Sequence, residues 1–268
     1  MDSSGTFAYR NTGSMIFDLL IHKIKSMTGT VSDPFILDFR SHVLYDRSVL
    51  PDYEFIEKIR SGLLRSTSLV SPADFGAGTR RRKQDRNLGQ ITRIASVNER
   101  YGRLLYRLAC HYKPSRIIEL GTAAGISTLY LALGNPKAKV ITVEGNPRLA
   151  ELTTRNFKDL DLNNVTVIRS TFDDILPDLT KGLSPDSLIY IDGNHTTDAT
   201  ERYFNAFTRH AGMKPILVLH DINWSKEMSM AWKKIRQNIP DGTIIDLFFM
   251  GIYFPHSSPR LQYFQMNY

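Results

Sequence analysis

The sequence predicts an α/β protein built on a doubly wound, largely parallel sheet, and the alternation of two patterns after Pro114 carries this prediction. Five short apolar runs are each followed by a segment of helical periodicity. The runs are RIIEL (116–120), KVITVE (139–144), VTVIRS (165–170), SLIYID (187–192) and ILVLHD (216–221). Strand–helix units repeated in this way are typical of a parallel sheet with helices on both faces.

The end of the chain departs from this rhythm. TIIDLFFMGIYF (243–254) and RLQYFQMNY (260–268) both have strand character, and only a short Pro-Ser turn lies between them. Two strands without an intervening helix predict an antiparallel hairpin. With the five preceding strands, the prediction is a seven-stranded, mostly parallel sheet that ends in an antiparallel pair.

The segment before the sheet is mainly helical in pattern. Apolar residues recur at helical spacing over 15–26, 52–64 and 90–112. Residues 71–87 contain glycines followed by a basic run, which is typical of a flexible connector. We therefore predict an N-terminal helical cap or lid over 1–89, including this connector, and a sheet domain over 90–268.

Composition excludes several classes of protein. The 268 residues are 42% hydrophobic, which is enough for one large core. No stretch reaches the roughly 18–20 apolar residues that span a bilayer. The N-terminus lacks the pattern of a secretion signal, and Cys110 is the only cysteine, so no intrachain disulfide can form. We expect a cytoplasmic protein with no membrane span.

The net charge of +7 is concentrated in the N-terminal part. Residues 1–113 hold 18 lysines and arginines against 11 acids, whereas the remainder holds 16 of each. Five basic residues fall within 80–86. Such a run attracts RNA, anionic lipid or an acidic substrate, or is simply a solvated loop, and the sequence leaves these readings open.

The loop after the first strand of the sheet predicts a nucleoside ligand without a phosphate. In IIELGTAAGIST (117–128), Gly121 and Gly125 are spaced by four, whereas a dinucleotide site needs G-x-G-x-x-G. Glu119 would repel a phosphate. Glu144 ends the second strand, where a carboxylate can bridge two ribose hydroxyls. A ligand with a ribose and an amino acid but no phosphate matches S-adenosylmethionine.

Several stretches carry a resemblance to a known family. IIELGTAAGISTLYLA, VEGNP, STFDDILP and IYIDGNH resemble the class I S-adenosylmethionine-dependent methyltransferases. Among these, the chain is most similar to the catechol O-methyltransferase-like enzymes that act on small molecules. The likeness covers about 90–268 and implies a Rossmann-like sheet with an antiparallel last strand.

The resemblance also implies the cofactor site. The methionine end of S-adenosyl-L-methionine would lie at the first loop, its ribose at the second strand, and its adenine after the third. The implied residues are, in that order, Glu119, Gly121, Thr122 and Gly125, then Glu144, then Phe172 and Asp173, with Asp192 beside them.

The ends of the fourth and fifth strands carry the expected chemistry. In the resembling group, an aspartate at each of these ends binds a divalent cation such as Mg²⁺, and a lysine is the base. Asp192 and Asp221 match the aspartates, and His195 stands at the lysine position. Ile222 replaces the amide ligand, so Asn223, one residue later, is the tentative third metal ligand.

These residues lead to a functional hypothesis. We expect O-methylation of a small hydroxylated acceptor, with His195 and Asp192 as catalytic residues and His220 as the rival base, because a histidine of ordinary pKa near 6.5 is largely neutral at working pH. The basic N-terminal part hints at an anionic acceptor, and analogy suggests a homodimer. An RNA-modifying methyltransferase of the same fold is left open but not favoured, as is a non-catalytic S-adenosylmethionine-binding protein. The two-glycine loop makes a nicotinamide dehydrogenase improbable.

Overall fold

A computed structural model describes residues 12–26, 32–71, 85–209, 215–255 and 257–268. The helices among them are α1 (Thr12–Ser26), α2 (Pro34–Phe39), α3 (Pro51–Leu64), α4 (Leu88–Ala95), α5 (Glu99–Tyr112), α6 (Ile126–Gly134), α7 (Pro147–Asp159), α8 (Phe172–Lys181), α9 (Thr197–Thr208) and α10 (Lys226–Asn238). A π-helical turn, Arg40–Leu44, continues α2. The strands are β1 (Leu69–Val70), β2 (Arg86–Asn87), β3 (Arg116–Leu120), β4 (Lys139–Glu144), β5 (Val165–Arg169), β6 (Leu188–Ile191), β7 (Ile216–His220), β8 (Thr243–Asp246), β9 (Met250–Phe254) and β10 (Gln262–Gln265).

The central sheet confirms the predicted α/β, mostly parallel architecture. Its strand order is β10-β8-β9-β7-β6-β3-β4-β5, and β9 runs antiparallel to both neighbours. All other neighbouring pairs in this sheet are parallel. The sheet has eight strands where seven were predicted. β1 and β2 form a separate antiparallel pair.

The C-terminal hairpin lies at a different place from the predicted one. Its two strands, β8 and β9, both come from within 243–254, which the sequence pattern treated as a single strand. The turn between them is buried and apolar, and Phe248 has a φ of +72°. Asp246 accepts a hydrogen bond from the Phe248 amide at 3.0 Å, which closes this turn. The last run forms β10, which pairs parallel with β8 and adds the eighth strand.

The long helix predicted over 90–112 is divided in two. Asn98 is the N-cap of α5, and its side chain accepts a hydrogen bond from the Tyr101 amide at 3.0 Å. This cap stabilises a new helix start and redirects the chain after α4. The predicted boundary between residues 89 and 90 falls inside α4, and the division into two domains stays a prediction.

Most of the basic run at 80–86 lies outside the described residues. Only Asp85 and Arg86 of that run are described, and Arg86 pairs with Val70 in the small sheet. The predicted connector role therefore stays a prediction.

Apolar side chains cover the sheet on both faces. One layer contains α5, α6 and the N-terminal helices, with Leu104, Leu108 and Tyr130 fully buried. The other contains α8, α9 and α10, with Phe207 and Trp232 at its centre. Parallel strands need such cover because both of their faces are apolar. Within the described residues, no helix combines the length and the apolar character needed to cross a bilayer.

Candidate active site

Four parallel strands end at one edge of the sheet and bring the predicted site residues together. The register aligns Leu120 of β3 with Val143 of β4 and with Ile191 of β6, and Ile191 with Leu219 of β7. The residues that follow each strand therefore meet at this edge, outside the carboxyl ends where open α/β sheets bind ligands.

The loop after β3 needs glycine at its first position. Gly121 has a φ of +113°, and a Cβ there would lie 2.2 Å from the backbone oxygen of Asp192. The amides of Gly121 and Thr122 donate to the carbonyl of Val143 at 3.0 and 3.3 Å, which fixes the loop against β4. Gly125, with a φ of +83°, is the N-cap of α6. The loop thus passes in close contact with the chain that leaves β6.

Glu119 is a fully buried carboxyl group at the base of this loop. The Thr128 hydroxyl donates to its Oε2. Its Oε1 has no hydrogen-bond partner among the described residues. Burial raises the pKa of Glu119 to about 7, although hydrogen bonds from Ser127, Thr128 and Thr142 act in the opposite direction. A buried oxygen without a partner at the loop is what an incoming cationic or hydrogen-donating ligand group would satisfy.

Glu144 ends β4 and holds the same loop from the other side. Its Oε2 accepts from the Ala123 amide at 2.9 Å and its Oε1 from the Asn146 amide at 2.8 Å. Burial raises the pKa of Glu144, and the hydrogen bonds from Asn146 and Ala123 oppose that rise. Each carboxylate oxygen can accept a further hydrogen bond, so the group can still receive ligand hydroxyls.

Phe172 and Asp173 begin α8 next to the chain leaving β6. A Cβ at Gly193 would lie 2.7 Å from the Phe172 ring, so the ring packs directly on that backbone. Asp173 is exposed and accepts hydrogen bonds from Arg202 Nε at 2.8 Å and from the Tyr203 hydroxyl at 3.2 Å. Its carboxylate already has partners on α9, while Phe172 offers a ring face beside a glycine.

Two aspartates and two histidines form what we name the Asp–His cluster: Asp192, His195, His220 and Asp221. His220 Nδ1 lies 3.3 Å from Asp192 Oδ1 and 3.3 Å from Asp221 Oδ1. His195 Nε2 lies 3.9 Å from Asp192 Oδ1 and 4.0 Å from Asp221 Oδ2. Both imidazoles therefore face the same pair of carboxylates.

The two histidines differ in their surroundings. His220 is deeply buried, and burial lowers its pKa, but Asp192 and Asp221 outweigh burial and raise the pKa well above 6.5. Burial also raises the pKa of Asp192, yet His220, His195 and the Tyr190 hydroxyl together hold it below its usual value. His220 and Asp192 thus form an ion pair in which each group favours the charged form of the other. The His195 side chain is 35% exposed and can meet a ligand.

A cation would meet a mixed donor set at the Asp–His cluster. Asp192, His195 and Asp221 each offer a ligand atom within 4.8 Å of the others. Asn223, predicted as a third ligand, donates from Nδ2 to the Phe248 carbonyl at 2.8 Å and accepts from Ser229 at 3.2 Å. Ile222 is fully buried and apolar. Among these residues, the oxygen donors left for Mg²⁺ are the two carboxylates, so water and acceptor oxygens would have to complete its octahedral coordination.

Three contacts at this edge have no signal in the sequence. The Tyr190 hydroxyl donates to Asp192 Oδ2 at 2.9 Å from a residue inside a buried strand. The Thr128 hydroxyl reaches Glu119 from α6. Tyr203 on α9 receives a hydrogen bond from Asn194 Nδ2 at 2.9 Å. The Thr128 and Tyr203 contacts join separate elements, and the Tyr190 contact joins residues two apart whose hydrogen bond the sequence pattern does not specify.

Residues 118–222 match a family model described as a methyltransferase domain. The matched segment lies within the part of the chain that resembles the class I S-adenosylmethionine-dependent methyltransferases, and it covers less than half of the 268 residues.

Within that class, the matched relatives include catechol O-methyltransferases. The chain is 35% identical over 107 residues to the catechol O-methyltransferase of Mycobacterium tuberculosis, covering 39% of this chain and 47% of the relative. It is 36% identical over 102 residues to that of Niastella koreensis, covering 37% and 46%. The chain thus spans about half the length of these relatives.

A solved structure extends the likeness of fold beyond this segment. An SAH-bound methyltransferase of Podospora anserina superimposes with a TM-score of 0.55 at 13% identity, over 85% of this chain and 98% of that one. This likeness concerns the fold alone and includes part of the N-terminal segment.

Proposed function

We propose that the protein transfers a methyl group from S-adenosylmethionine to a hydroxyl of a small acceptor. One observation carries the proposal: the Gly121 loop and the Asp–His cluster are in contact, since Gly121 leaves no room for a Cβ against Asp192. A cofactor held by the loop would therefore lie beside groups able to accept a proton. The catechol O-methyltransferase relatives supply the reaction class.

The cofactor would be held by acids and not by a phosphate-binding loop. Glu119 Oε1, buried and without a hydrogen-bond partner in the described part of the chain, would accept from the ammonium of the methionine part. Glu144, fixed by two backbone amides, would accept from the ribose hydroxyls. Phe172 would pack against adenine next to Gly193. Thr122 and Gly125 would set the shape of the loop, and Asp173, which is exposed at the start of α8, would contact the adenine.

His195 is the proposed general base. It is the more exposed of the two imidazoles, and its Nε2 faces both aspartates of the cluster. On taking a proton from the acceptor hydroxyl at Nε2, it would carry a positive charge close to two carboxylates, which favours the transfer. Bound S-adenosylmethionine supplies the methyl group from its sulfonium, and the carbon–sulfur electron pair remains on sulfur as S-adenosylhomocysteine leaves.

His220 is better suited to hold the cluster together than to act as the base. Its raised pKa means that it already carries a proton at neutral pH. A protonated imidazole cannot take another proton from the acceptor. Its contacts to Asp192 and Asp221 at 3.3 Å would keep the two carboxylates side by side.

A divalent cation remains a separate proposal. Asp192 and Asp221 would hold it, with His195 as the nearest further donor, and the ion would lower the pKa of the acceptor hydroxyl. For Asn223 to join, it would have to give up its bonds to Phe248 and Ser229. A set containing an imidazole suits Mn²⁺ or Zn²⁺ better than Mg²⁺.

The partners and the location stay predictions. The acceptor is proposed as a small hydroxylated molecule, anionic if the basic run at 80–86 contributes to its binding. A homodimer would use α1, where Ile16, Phe17 and Leu20 are more than half exposed. An RNA acceptor is not favoured, and a cytoplasmic location is expected. Sedimentation of the purified protein would test the dimer.

The reaction is tested by methyl transfer to defined acceptors. Purified protein is incubated with S-adenosylmethionine and catechol, caffeate or a phosphorylated phenol, and S-adenosylhomocysteine is quantified by mass spectrometry. Each reaction is run with Mg²⁺, with Mn²⁺ and with a chelator. We expect transfer to at least one acceptor, and His195→Ala should abolish it while the affinity for S-adenosylmethionine is unchanged.

Controls separate the roles within the cluster. His195→Lys restores a base of the kind found in the resembling enzymes and should recover part of the activity at alkaline pH. Full activity of His195→Ala in the presence of chelator would refute the base assignment. Activity that disappears with chelator in the wild-type protein would instead assign proton removal to a cation-bound acceptor.

A further inference from the structure

We propose that Asp38, His42 and His111 form a second metal site, which binds a first-row transition dication such as Zn²⁺ and joins the N-terminal segment to α5. The three side chains offer ligand atoms within 4.8 Å of one another. They share no residue with the Asp–His cluster. We name this group the His–Asp–His clip.

The two imidazoles of the clip converge on one carboxylate. His111 Nε2 lies 2.7 Å from Asp38 Oδ2, and His42 Nδ1 lies 2.9 Å from Asp38 Oδ1. The rings stack with centroids 5.3 Å apart and an interplanar angle of 10°. One nitrogen of each ring therefore faces the same carboxylate, so a cation that replaced these two contacts would have Asp38 and both imidazoles as ligands.

The donor set selects the class of metal. Two imidazole nitrogens and one carboxylate suit Zn²⁺, Ni²⁺ or Cu²⁺, whereas Mg²⁺ and Ca²⁺ require oxygen ligands. The side chains are 60% exposed at His42, 44% at Asp38 and 27% at His111. Water can therefore complete a four-coordinate sphere. Binding requires that the two ring nitrogens facing Asp38 carry no proton. His42 Nδ1 would also have to give up its contacts with the Ser41 hydroxyl at 3.1 Å and with the Asp38 carbonyl at 3.2 Å.

The backbone on both sides of the clip is fixed. Arg107 lies one helical turn before His111 and donates from Nε to the carbonyl of Val43, the residue after His42. Its Nη2 donates to the Tyr268 hydroxyl at 2.8 Å. These bonds hold the π-helical turn against α5 without any metal. Because the backbone around the site is already fixed, little conformational entropy would be lost when an ion binds.

The π-helical turn is a second, independent feature of this place. His42 lies within Arg40–Leu44, where the helix widens directly after α2. Such turns are rare and are frequently found at functional sites. Asp38 is in the last turn of α2 and His111 is in the last turn of α5, so a cation here would connect the two helix ends.

The test is titration of Zn²⁺ into untagged, chelator-treated protein, because a polyhistidine tag would itself bind the ion. The Asp192→Asn/His195→Ala double variant removes two of the three possible ligands that the Asp–His cluster offers to a cation and leaves Asp221. In that background we expect calorimetry to show the binding of one equivalent of Zn²⁺ per chain. Adding His42→Ala should weaken binding by at least about tenfold, since even outer-sphere changes cost that much.

A second measurement guards against a damaged background. In the otherwise unchanged protein, His42→Ala and His111→Gln should each remove one equivalent of Zn²⁺, and His42 is exposed enough for its loss to leave the core intact. Zn²⁺ should raise the Tm of the wild-type protein more than that of His42→Ala. Equal Zn²⁺ stoichiometry and affinity with and without His42 would overturn the proposal and leave the clip as an ion-pair network.

Discussion

Replacing Glu119 by glutamine should remove a specific pH dependence from the stability of the protein. Glu119 is fully buried, and burial is the largest cause of the rise in its pKa from 4.5 to about 7. Below pH 4.5 the group is protonated in both the folded and the unfolded chain. Between these two values the folded chain retains a proton that the unfolded chain releases, so the free energy of unfolding falls as pH rises.

The size of the effect follows from the shift. A difference of about 2.5 pKa units at about 1.36 kcal/mol per unit gives about 3 kcal/mol, lost between pH 4.5 and 7 and constant above. Glutamine does not titrate and should lack this loss. It also places an amide where Oε1 has no partner, which adds a constant cost of about 1–3 kcal/mol. The test therefore compares how the free energy of unfolding changes with pH in the two proteins, and not the constant difference between them.

The assay is urea unfolding without cofactor, followed by tryptophan fluorescence at several pH values from 4.5 to 8. The difference in unfolding free energy, wild type minus Glu119→Gln, should fall by about 3 kcal/mol across this range. Glu151→Gln is the control, since it removes an exposed carboxylate that pairs with Arg148 on the surface of α7. Parallel curves for wild type and Glu119→Gln would refute the assigned environment of Glu119.

Three further predictions concern the same edge of the sheet. Gly121→Ala should lower the free energy of unfolding in urea by about 1–3 kcal/mol, because Gly121 has a positive φ and lies against Asp192. The control Gly62→Ala, where the added Cβ meets open space, should change it by less than about 1 kcal/mol, and equal effects of the two substitutions would contradict this prediction. Glu144→Ala should weaken S-adenosylmethionine binding by about 1–3 kcal/mol in calorimetry, and unchanged affinity would move the ribose site elsewhere. His220→Gln should destabilise the protein most below pH 6.5 and progressively less at alkaline pH, because a raised histidine pKa adds stability that is lost as pH rises through it; a pH-independent difference would argue against the ion pair with Asp192.

Strand positions were predictable because each strand is a short apolar run followed by a helical pattern. The hairpin turn between β8 and β9 was not predictable, because its sequence does not differ in pattern from the strands on either side. Leu247 and Phe248 are buried in a turn that is as apolar as the strands beside it. No polar or glycine signal marks the reversal, and Asp246 closes it from within β8. At Asn98, a cap signal was present, but apolar periodicity continuing beyond it masked the break.

Site residues were predictable where strand ends determine them. Glu144 ends a parallel strand, and Gly121, Asp192 and Asp221 each follow one, so the topology alone brings them to one edge. Asn223 was predicted as a metal ligand because it lies close to Asp221 in the chain. Its side-chain amide instead donates a hydrogen bond to the carbonyl of Phe248, 25 residues away. Such partners depend on the packing of separate elements, as does the ion pair of His220.

The measurement that tests the central claim most directly is calorimetric titration of S-adenosylmethionine into the purified protein, first with Mg²⁺ and then with a chelator. We predict binding at one site per chain with a Kd in the micromolar range under both conditions, and weaker binding to Glu144→Ala. Absence of binding under both conditions would contradict the assignment of this edge as a cofactor site, leaving the fold without the proposed reaction.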